Sequence, residues 1–334
     1  MPDATPDPPY AGLTPDTVLG ALESVGLPCD GRQLALNSYE NRVYQAGMEG
    51  GAPVVVKFYR PGRWSDAQIA EEHAFVHALD GHEIPVVAPM ELGTTTLHTH
   101  AGFRFAVYQR RGGRAPELGN PDVLEWLGRF LGRIHAVGAV RPFVERPALD
   151  LASFGTASRD WLLAHDFIPR DLRAGWTGTV AQALDNIGHC YDRAGRVGML
   201  RLHGDCHIGN VLWTEEGALR GPHFVDFDDA RTGPAIQDLW MLLPTPEEMP
   251  VALKHLLKGY EDFCEFNDDE LYLTEALRTL RLLHYSAWLA RRWNDPAFPA
   301  AFPWFNTSRY WEARILELKE QVALMQEPPV RPAP

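Results

Sequence analysis

The stretch RLHGDCHIGNVLW, residues 201–213, decides how the chain is read. It sets two histidines, an aspartate, a cysteine and an asparagine in one loop between apolar flanks. His203, Cys206 and His207 offer the nitrogen and sulfur that zinc favours, but a structural zinc takes four such ligands and no second Cys/His cluster lies nearby in sequence. A hydrogen-bonded core histidine at His203 and a small buried thiol at Cys206 suit these two residues better. Asp205 and Asn210 resist that reading, because another acid, Asp226, follows 21 residues after Asp205 in HFVDFDDA. Phe224 and Val225 lead into it as a strand. A strand at about 211–213 and another at about 223–226 make a hairpin that brings Asn210 and Asp226 together.

A carboxylate and a carboxamide are hard oxygen donors, suited to Mg2+ that also rests on substrate phosphates. Alternation along an extended segment puts Asp228 on the same side as Asp226, as a further ligand or an acid behind it, and leaves Asp229 solvated. Asp205 is then near the metal without binding it, placed to accept a proton from an attacking hydroxyl. His203 and Asp238 are expected to hold the loop.

Phosphoryl transfer also needs a cation on the nucleotide phosphates. The chain has four lysines, Lys57, Lys254, Lys258 and Lys319, and only Lys57 is enclosed in a strand-like run, PVVVKFY. There an ammonium group needs a partner, unless the strand lies at an edge and the lysine faces water. The next helix carries Glu71 and Glu72, which point about 100° apart, so one can face the sheet. Glu72 is the expected partner. Tyr108 and Gln109 follow the strand FRFAVY at the expected junction of two lobes, where backbone groups would meet adenine.

Outward from these residues, TPDTVLGALESV reads as a helix capped by Thr14, and runs at 41–46 and 53–59 as a hairpin. SDAQIAEEHAFVHALDG reads as a helix over 66–79 with Ser65 as N-cap, and 94–97 and 103–108 as two more strands. After RRGGR helical periodicity takes over, first in NPDVLEWLGRFLGRIHAVG, where Gly128 and Gly132 suggest close packing. Further helices are expected near 157–164, 175–194, 249–265, 269–293 and 307–325. The tryptophan-rich run RLLHYSAWLARRW reads as core. The fold class is therefore α+β in two lobes: residues 1–110 a small antiparallel sheet with one main helix, residues 111–334 larger and mostly helical.

Of the 334 residues, 45% are hydrophobic and 22% charged, values of an ordinary folded protein, and the net charge of -13 disfavours nucleic acid and anionic membrane as partners. The four cysteines form no CxxC pair, which fits reduced thiols in a cytoplasmic monomer. MPDATPDPPYAG lacks the basic and apolar regions of a signal peptide. Both proline-rich ends, this one and QEPPVRPAP, are expected to fray.

Lys57 in a strand, an acid on the next helix, HGDCHIGN and VDFDD together resemble the aminoglycoside phosphotransferase and choline kinase group, whose fold is similar to that of eukaryotic protein kinases. LGRFLGRIHAVG and RTGPAIQDLW match further landmarks of that group. LNSYENRVYQ, VVVKFYRPGRW, EEHAF, LHGDCHIGNVLW, DDARTGPAIQDLWML and RRWNDPAFPAAFPW resemble, more narrowly, a bacterial branch of serine/threonine protein kinases associated with stress response, over about 14–329. The resemblance implies that Asp205 accepts the proton, that Asn210 and Asp226 bind magnesium, and that Ser38 lies at the ATP phosphates. In one respect the chain departs from the kinase pattern: NSYENRVY, which would cover the phosphates, has no glycine. The implied activity is ATP-dependent transfer of a γ-phosphoryl group to a hydroxyl of a protein. A small-molecule kinase acting on an amino alcohol or aminoglycoside is the nearest alternative, and a catalytically silent binding scaffold a more distant one.

Overall fold

The computed structural model describes residues 8–215, 217 and 220–334. In chain order the elements are α1 (Pro15–Ser24), β1 (Cys29–Ala35), β2 (Arg42–Met48), β3 (Val54–Phe58), α2 (Asp66–Gly81), β4 (His98–His100), β5 (Phe103–Gln109), α3 (Pro121–Ala139), α4 (Ala157–Ala164), α5 (Arg170–Ala194), β6 (Leu200–Leu202), β7 (Val211–Thr214), β8 (Gly221–Phe224), β9 (Arg231–Gly233), α6 (Ile236–Trp240), α7 (Met249–Tyr260), α8 (Thr274–Arg291), α9 (Ala297–Ala301) and α10 (Ser308–Leu324). They fall into two compact units, residues 1–115 with 209–228, and residues 116–208 with 229–334. No change of composition marks the passage of 209–228 into the first unit.

The first unit is built on a five-stranded sheet in the order β1-β2-β3-β5-β4, antiparallel throughout. β3 is central, with Lys57 opposite Val43 on one side and Ala106 on the other, so the lysine is not on an edge. Val56, Phe58, Phe105 and Val107 pack with Val18, Ala21 and Leu22 of α1 in one buried cluster. α2 begins in a full capping box: the Ser65 hydroxyl accepts from the Gln68 amide and the Gln68 side chain accepts from the Ser65 amide. The β7–β8 hairpin pairs Val211 with Phe224. It joins this unit through backbone bonds, the Phe224 amide to the Pro85 carbonyl at 2.8 Å and the Trp213 amide to the Arg114 carbonyl at 2.7 Å.

Two expectations change here. The strand placed at 94–97 lies instead at His98–His100, because Leu92 and Thr95 bridge each other in a turn before it. β1 had no signal, since its burial pattern shows no inward face to produce alternation.

In the second unit α3 lies against α7 with glycine on both sides of the contact. A Cβ on Gly128 would run into the Leu256 carbonyl and the Tyr260 amide, and one on Gly259 into the Glu125 carbonyl. The expected close approach at Gly128 is thus observed. The C-terminal segment does not fray: the Ala333 amide donates to the Pro250 carbonyl at 2.9 Å and Arg331 lies 3.7 Å from Asp268. Near the other end, the Tyr10 ring stacks on Phe103 and its hydroxyl donates to the Glu40 carbonyl. Residues 1–7 of the proline-rich start lie outside the described residues.

Gly128→Ala should improve intrinsic helix propensity by about 1 kcal/mol. Overpacking against the α7 backbone costs about 1–3 kcal/mol or more and should prevail. A lowered midpoint in thermal or urea unfolding is expected; an unchanged or raised midpoint would mean that α3 and α7 are free to separate.

Candidate active site

In the first unit a cavity of about 440 Å³ is lined by Ser38, Lys57, Glu72, Tyr108, Gln109, Asn210 and Asp226, with valines 43, 55, 76 and 87 supplying apolar wall. Seven residues singled out in the sequence therefore share one cavity. Its chemistry centres on Lys57, whose Nζ lies 3.1 Å from Asp226 Oδ1 and 3.1 Å from Asp228 Oδ1. Burial alone would lower the amine's pKa, but the carboxylates of Asp228, Asp226 and Glu72 outweigh it and hold the group well above the ordinary lysine value. Glu72 is 3% exposed and Glu71 faces partly outward, as a helix turning about 100° per residue requires.

Asp226 is reached by a chain reversal. It has φ +61°, a left-handed conformation uncommon outside glycine, and leaves 54% of its side chain exposed beside the cavity. The Asn210 carbonyl accepts the Val225 amide at 3.0 Å, so the hairpin brings Asn210 and Asp226 to one end, as expected. Of the two roles expected for Asp228, a further ligand or an acid behind Asp226, its placement fits the second: it does not line the cavity, and its carboxylate is 4% exposed and paired with Lys57 on Oδ1 and Arg63 on Oδ2. Among the described residues no group of three His, Cys, Asp or Glu side chains could hold a metal ion. The Asn210 carboxamide and the Asp226 carboxylate make the partial oxygen set that Mg2+ accepts when phosphates and water complete its shell.

Tyr108 uses its hydroxyl inside the unit. It lies 3.1 Å from the Tyr59 hydroxyl, which is 2.7 Å from His73 Nε2, and His73 Nδ1 is 2.7 Å from Thr96 Oγ1. That buried polar chain ties β5 to α2. Ser38 Oγ donates to the Leu36 carbonyl and accepts from the Val43 amide, which shapes the segment over the cavity.

In the second unit Asp205 sits in a loop fixed from behind by Asp238, which is fully buried. Asp238 accepts the His203 and Gly204 amides at 2.8 Å each and faces His135 Nε2 at 3.2 Å. With Nε2 protonated, His135 Nδ1 accepts from the Tyr260 hydroxyl at 2.9 Å. Gly204 has φ +85°, and a Cβ there would run into the Asp229 carbonyl. Asp229 is not merely solvated, because Arg231 donates to it at 2.7 Å. The reading of Asp238 and His203 as loop anchors matches these contacts. Cys206 is buried, and burial raises its thiol pKa well above the usual value.

One contact had no counterpart in the sequence reading. Arg281 of α8 donates to Asp205 Oδ1 at 2.6 Å. It also lines a second cavity, of about 580 Å³, with Trp240, Arg278, Tyr285, Arg314 and Glu317. RLLHYSAWLARRW is therefore not all core: Leu283, Ser286, Ala287 and Leu289 are buried, whereas Arg281 and Tyr285 face the cavity. The polar spacing Arg278, Arg281, Tyr285 is the helical stripe that could have revealed it.

A buried lysine held by acids, a carboxamide and carboxylate at one hairpin end and an anchored HxD loop define a phosphotransferase class, and the comparisons agree. Residues 32–273 match the family described as "Phosphotransferase enzyme family". The chain belongs to that family. It is 44% identical to stress response kinase A of Escherichia coli over 326 residues, 97% of either chain, and 43% identical, with the same coverage, to the serine/threonine protein kinase RdoA of Salmonella typhimurium. Among solved structures it is similar to amicoumacin kinase in complex with AMP-PNP, Ca2+ and amicoumacin, at a TM-score of 0.69 and 20% identity over 96% of both chains. A microcompartment-associated aminopropanol kinase gives 0.67 and 18% over 92% of this chain and 96% of that one. The α+β, protein-kinase-like fold expected from the sequence is thereby shown.

Asp238→Ala would strand two buried amides and His135. The expected cost is about 3–5 kcal/mol, the range for breaking a buried charged network. Chemical denaturation should show it, and a loss below about 1 kcal/mol would mean the loop is held by other contacts.

Proposed function

We propose that the protein transfers the γ-phosphoryl group of ATP, as its Mg2+ complex, to a serine or threonine hydroxyl of a protein acceptor, as part of a bacterial stress response. The observation that carries this reading is the Lys57 amine, nearly inaccessible, paired with Asp226 and Asp228 and sharing one cavity with Glu72, Asn210 and Asp226. A cation there matches the need of nucleotide phosphates, and the apolar wall with Tyr108 and Gln109 suits adenine. Asn210 and Asp226 would hold magnesium, which when bound neutralises charge on the phosphates. Ser38 and its neighbours would cover the phosphates, and Glu72 would steady Lys57. Asp205 would orient the acceptor hydroxyl and take its proton, with Arg281 keeping the carboxylate in place until the acceptor arrives. The acceptor side is assigned to the second cavity, which reaches Asp205 through Arg281.

The protein acceptor is supported by the relatives, named as stress response and serine/threonine protein kinases over nearly the whole chain. The second reading, a kinase of small amino-bearing alcohols, draws on the aromatic side chains of that cavity, Trp240 and Tyr285, against a charged lining that is mixed, Arg278, Arg281 and Arg314 with Glu317 and Glu320. Free thiols and the negative net charge support action in the cytoplasm without nucleic-acid partners. No helix among the described residues is long and apolar enough to cross a membrane.

Incubation with labelled ATP, magnesium and casein should place label on serine or threonine; label only in a soluble small product would move the assignment to the second reading. Asp205→Ala should lower turnover about 100 to 10,000-fold with ATP affinity retained. Asp226→Ala should instead remove the magnesium dependence of ATP binding. Wild-type turnover in the first variant would exclude Asp205 as the base.

A further inference from the structure

The segment NSYENRVY lacks the glycines that let a phosphate-covering loop bring its backbone close to a ligand, so something else must set its position. Its residue Glu40 is absent from the cavity wall and belongs instead to a buried cluster. The Glu40 carboxylate lies 3.7 Å from Arg60 Nε and 3.9 Å from Arg63 Nε. Arg63 also pairs with Asp228 Oδ2, and Asp228 Oδ1 takes Lys57 at 3.1 Å. These five side chains are between 4% and 12% exposed. Neighbouring contacts tighten the same segment: Asn41 Oδ1 accepts the Arg60 amide at 3.1 Å, and the Arg42 guanidinium lies 4.5 Å over the Tyr10 ring. Charges thus alternate without a break from Glu40 through Arg63, Asp228 and Lys57 to Asp226.

We infer that Glu40, Arg63 and Asp228 are positioning residues that hold the glycine-free segment and the Lys57 amine in one register for a nucleoside triphosphate. The inference rests on the reading of the 440 Å³ cavity as the nucleotide site. Its physical basis is competition for one amine. Asp226 and Asp228 both pair with Lys57, and Asp228 is the more buried, so an Asp228 without a second cation draws the amine inward. Arg63 supplies that second cation and leaves the amine shared with the cavity wall. Through Glu40 the same guanidinium ties down the covering segment. Loss of the link should therefore weaken contacts to phosphates and spare contacts to adenosine.

The test uses the full chain and two probes, Mg-ATP and adenosine, each titrated by calorimetry against wild type, Arg63→Met, Arg63→Lys and Glu40→Gln. Arg63→Met should weaken Mg-ATP binding by about tenfold or more and change adenosine binding by less than about twofold, with Arg63→Lys restoring part of the loss. Glu40→Gln should shift the two ligands in the same unequal way, and it carries the test if Arg63→Met fails to fold. Equal loss of both ligands would reduce the cluster to a structural role and overturn the inference. So would Mg-ATP affinity that both variants retain. A wild type that binds neither probe removes the nucleotide reading, and the inference with it; a wild type that binds Mg-ATP makes the other failures specific to the cluster.

Discussion

A lysine in the middle strand of a sheet is the constraint on which the first unit depends. Lys57 on β3 is only 6% exposed, and an unpaired ammonium there would cost several kcal/mol. The chain answers with acids from distant parts of the sequence. Asp226 and Asp228 come from the segment after β8, and Glu72 from the middle of α2. Each imposes a local demand: a left-handed backbone at Asp226, a second cation at Asp228, and an α2 rotated so that Glu72 and not Glu71 turns inward. The hairpin, helix and sheet are tied to a single charge. Such an arrangement contributes little to net stability, because desolvation offsets most of the attraction, but it strongly disfavours any packing that separates the partners.

The second unit solves a similar problem in the opposite sense. Asp205, part of the HxD loop, keeps 22% of its side chain exposed, so the loop is not held by burying Asp205 itself. Asp238 takes that task from behind, with His135 and Tyr260 completing its hydrogen bonds. Gly204 permits the loop to approach the Asp229 carbonyl, where any side chain would collide. Gln237, one residue before the anchoring acid, donates to the Gly204 carbonyl at 3.1 Å. In both units, then, a partly exposed acid is backed by a nearly inaccessible one, Asp226 by Asp228 and Asp205 by Asp238.

What could be read from the sequence follows from the range of the interactions involved. Lys57 stood out because an ammonium in a β-branched run violates local preference. The Asn210–Asp226 hairpin end was legible because both residues flank strand-like runs, and Gly128 because glycine in a helix needs a reason. Contacts that violate nothing locally were invisible. Arg63 lies in a turn where an arginine is ordinary, and only the fold shows that it pairs with Asp228. Arg281 belongs to a helix whose other face is core, and only the fold shows that Asp205 is its partner. β1 escaped notice because a strand with largely exposed side chains carries no alternation, and the C-terminal segment because its ties are made by backbone and charge across more than 60 residues of sequence.

The same division bears on the acceptor. Solved structures with this fold at 18–20% identity include an amicoumacin kinase and an aminopropanol kinase, so the fold does not choose between hydroxyl substrates. In our reading the nucleotide is gripped by the first unit, whose buried charges leave little room for variation. Acceptor choice then rests with the walls of the second cavity, where Arg278, Tyr285, Glu317 and Glu320 on α8 and α10 are at least partly exposed. Those walls carry both signs of charge, Arg278 and Arg314 against Glu317 and Glu320, each arginine already matched within its own helix. A small cationic alcohol would have to compete with those internal pairs. A polypeptide can satisfy both signs at once along its backbone and side chains, which is why the mixed lining agrees with a protein acceptor better than the overall charge of the chain does.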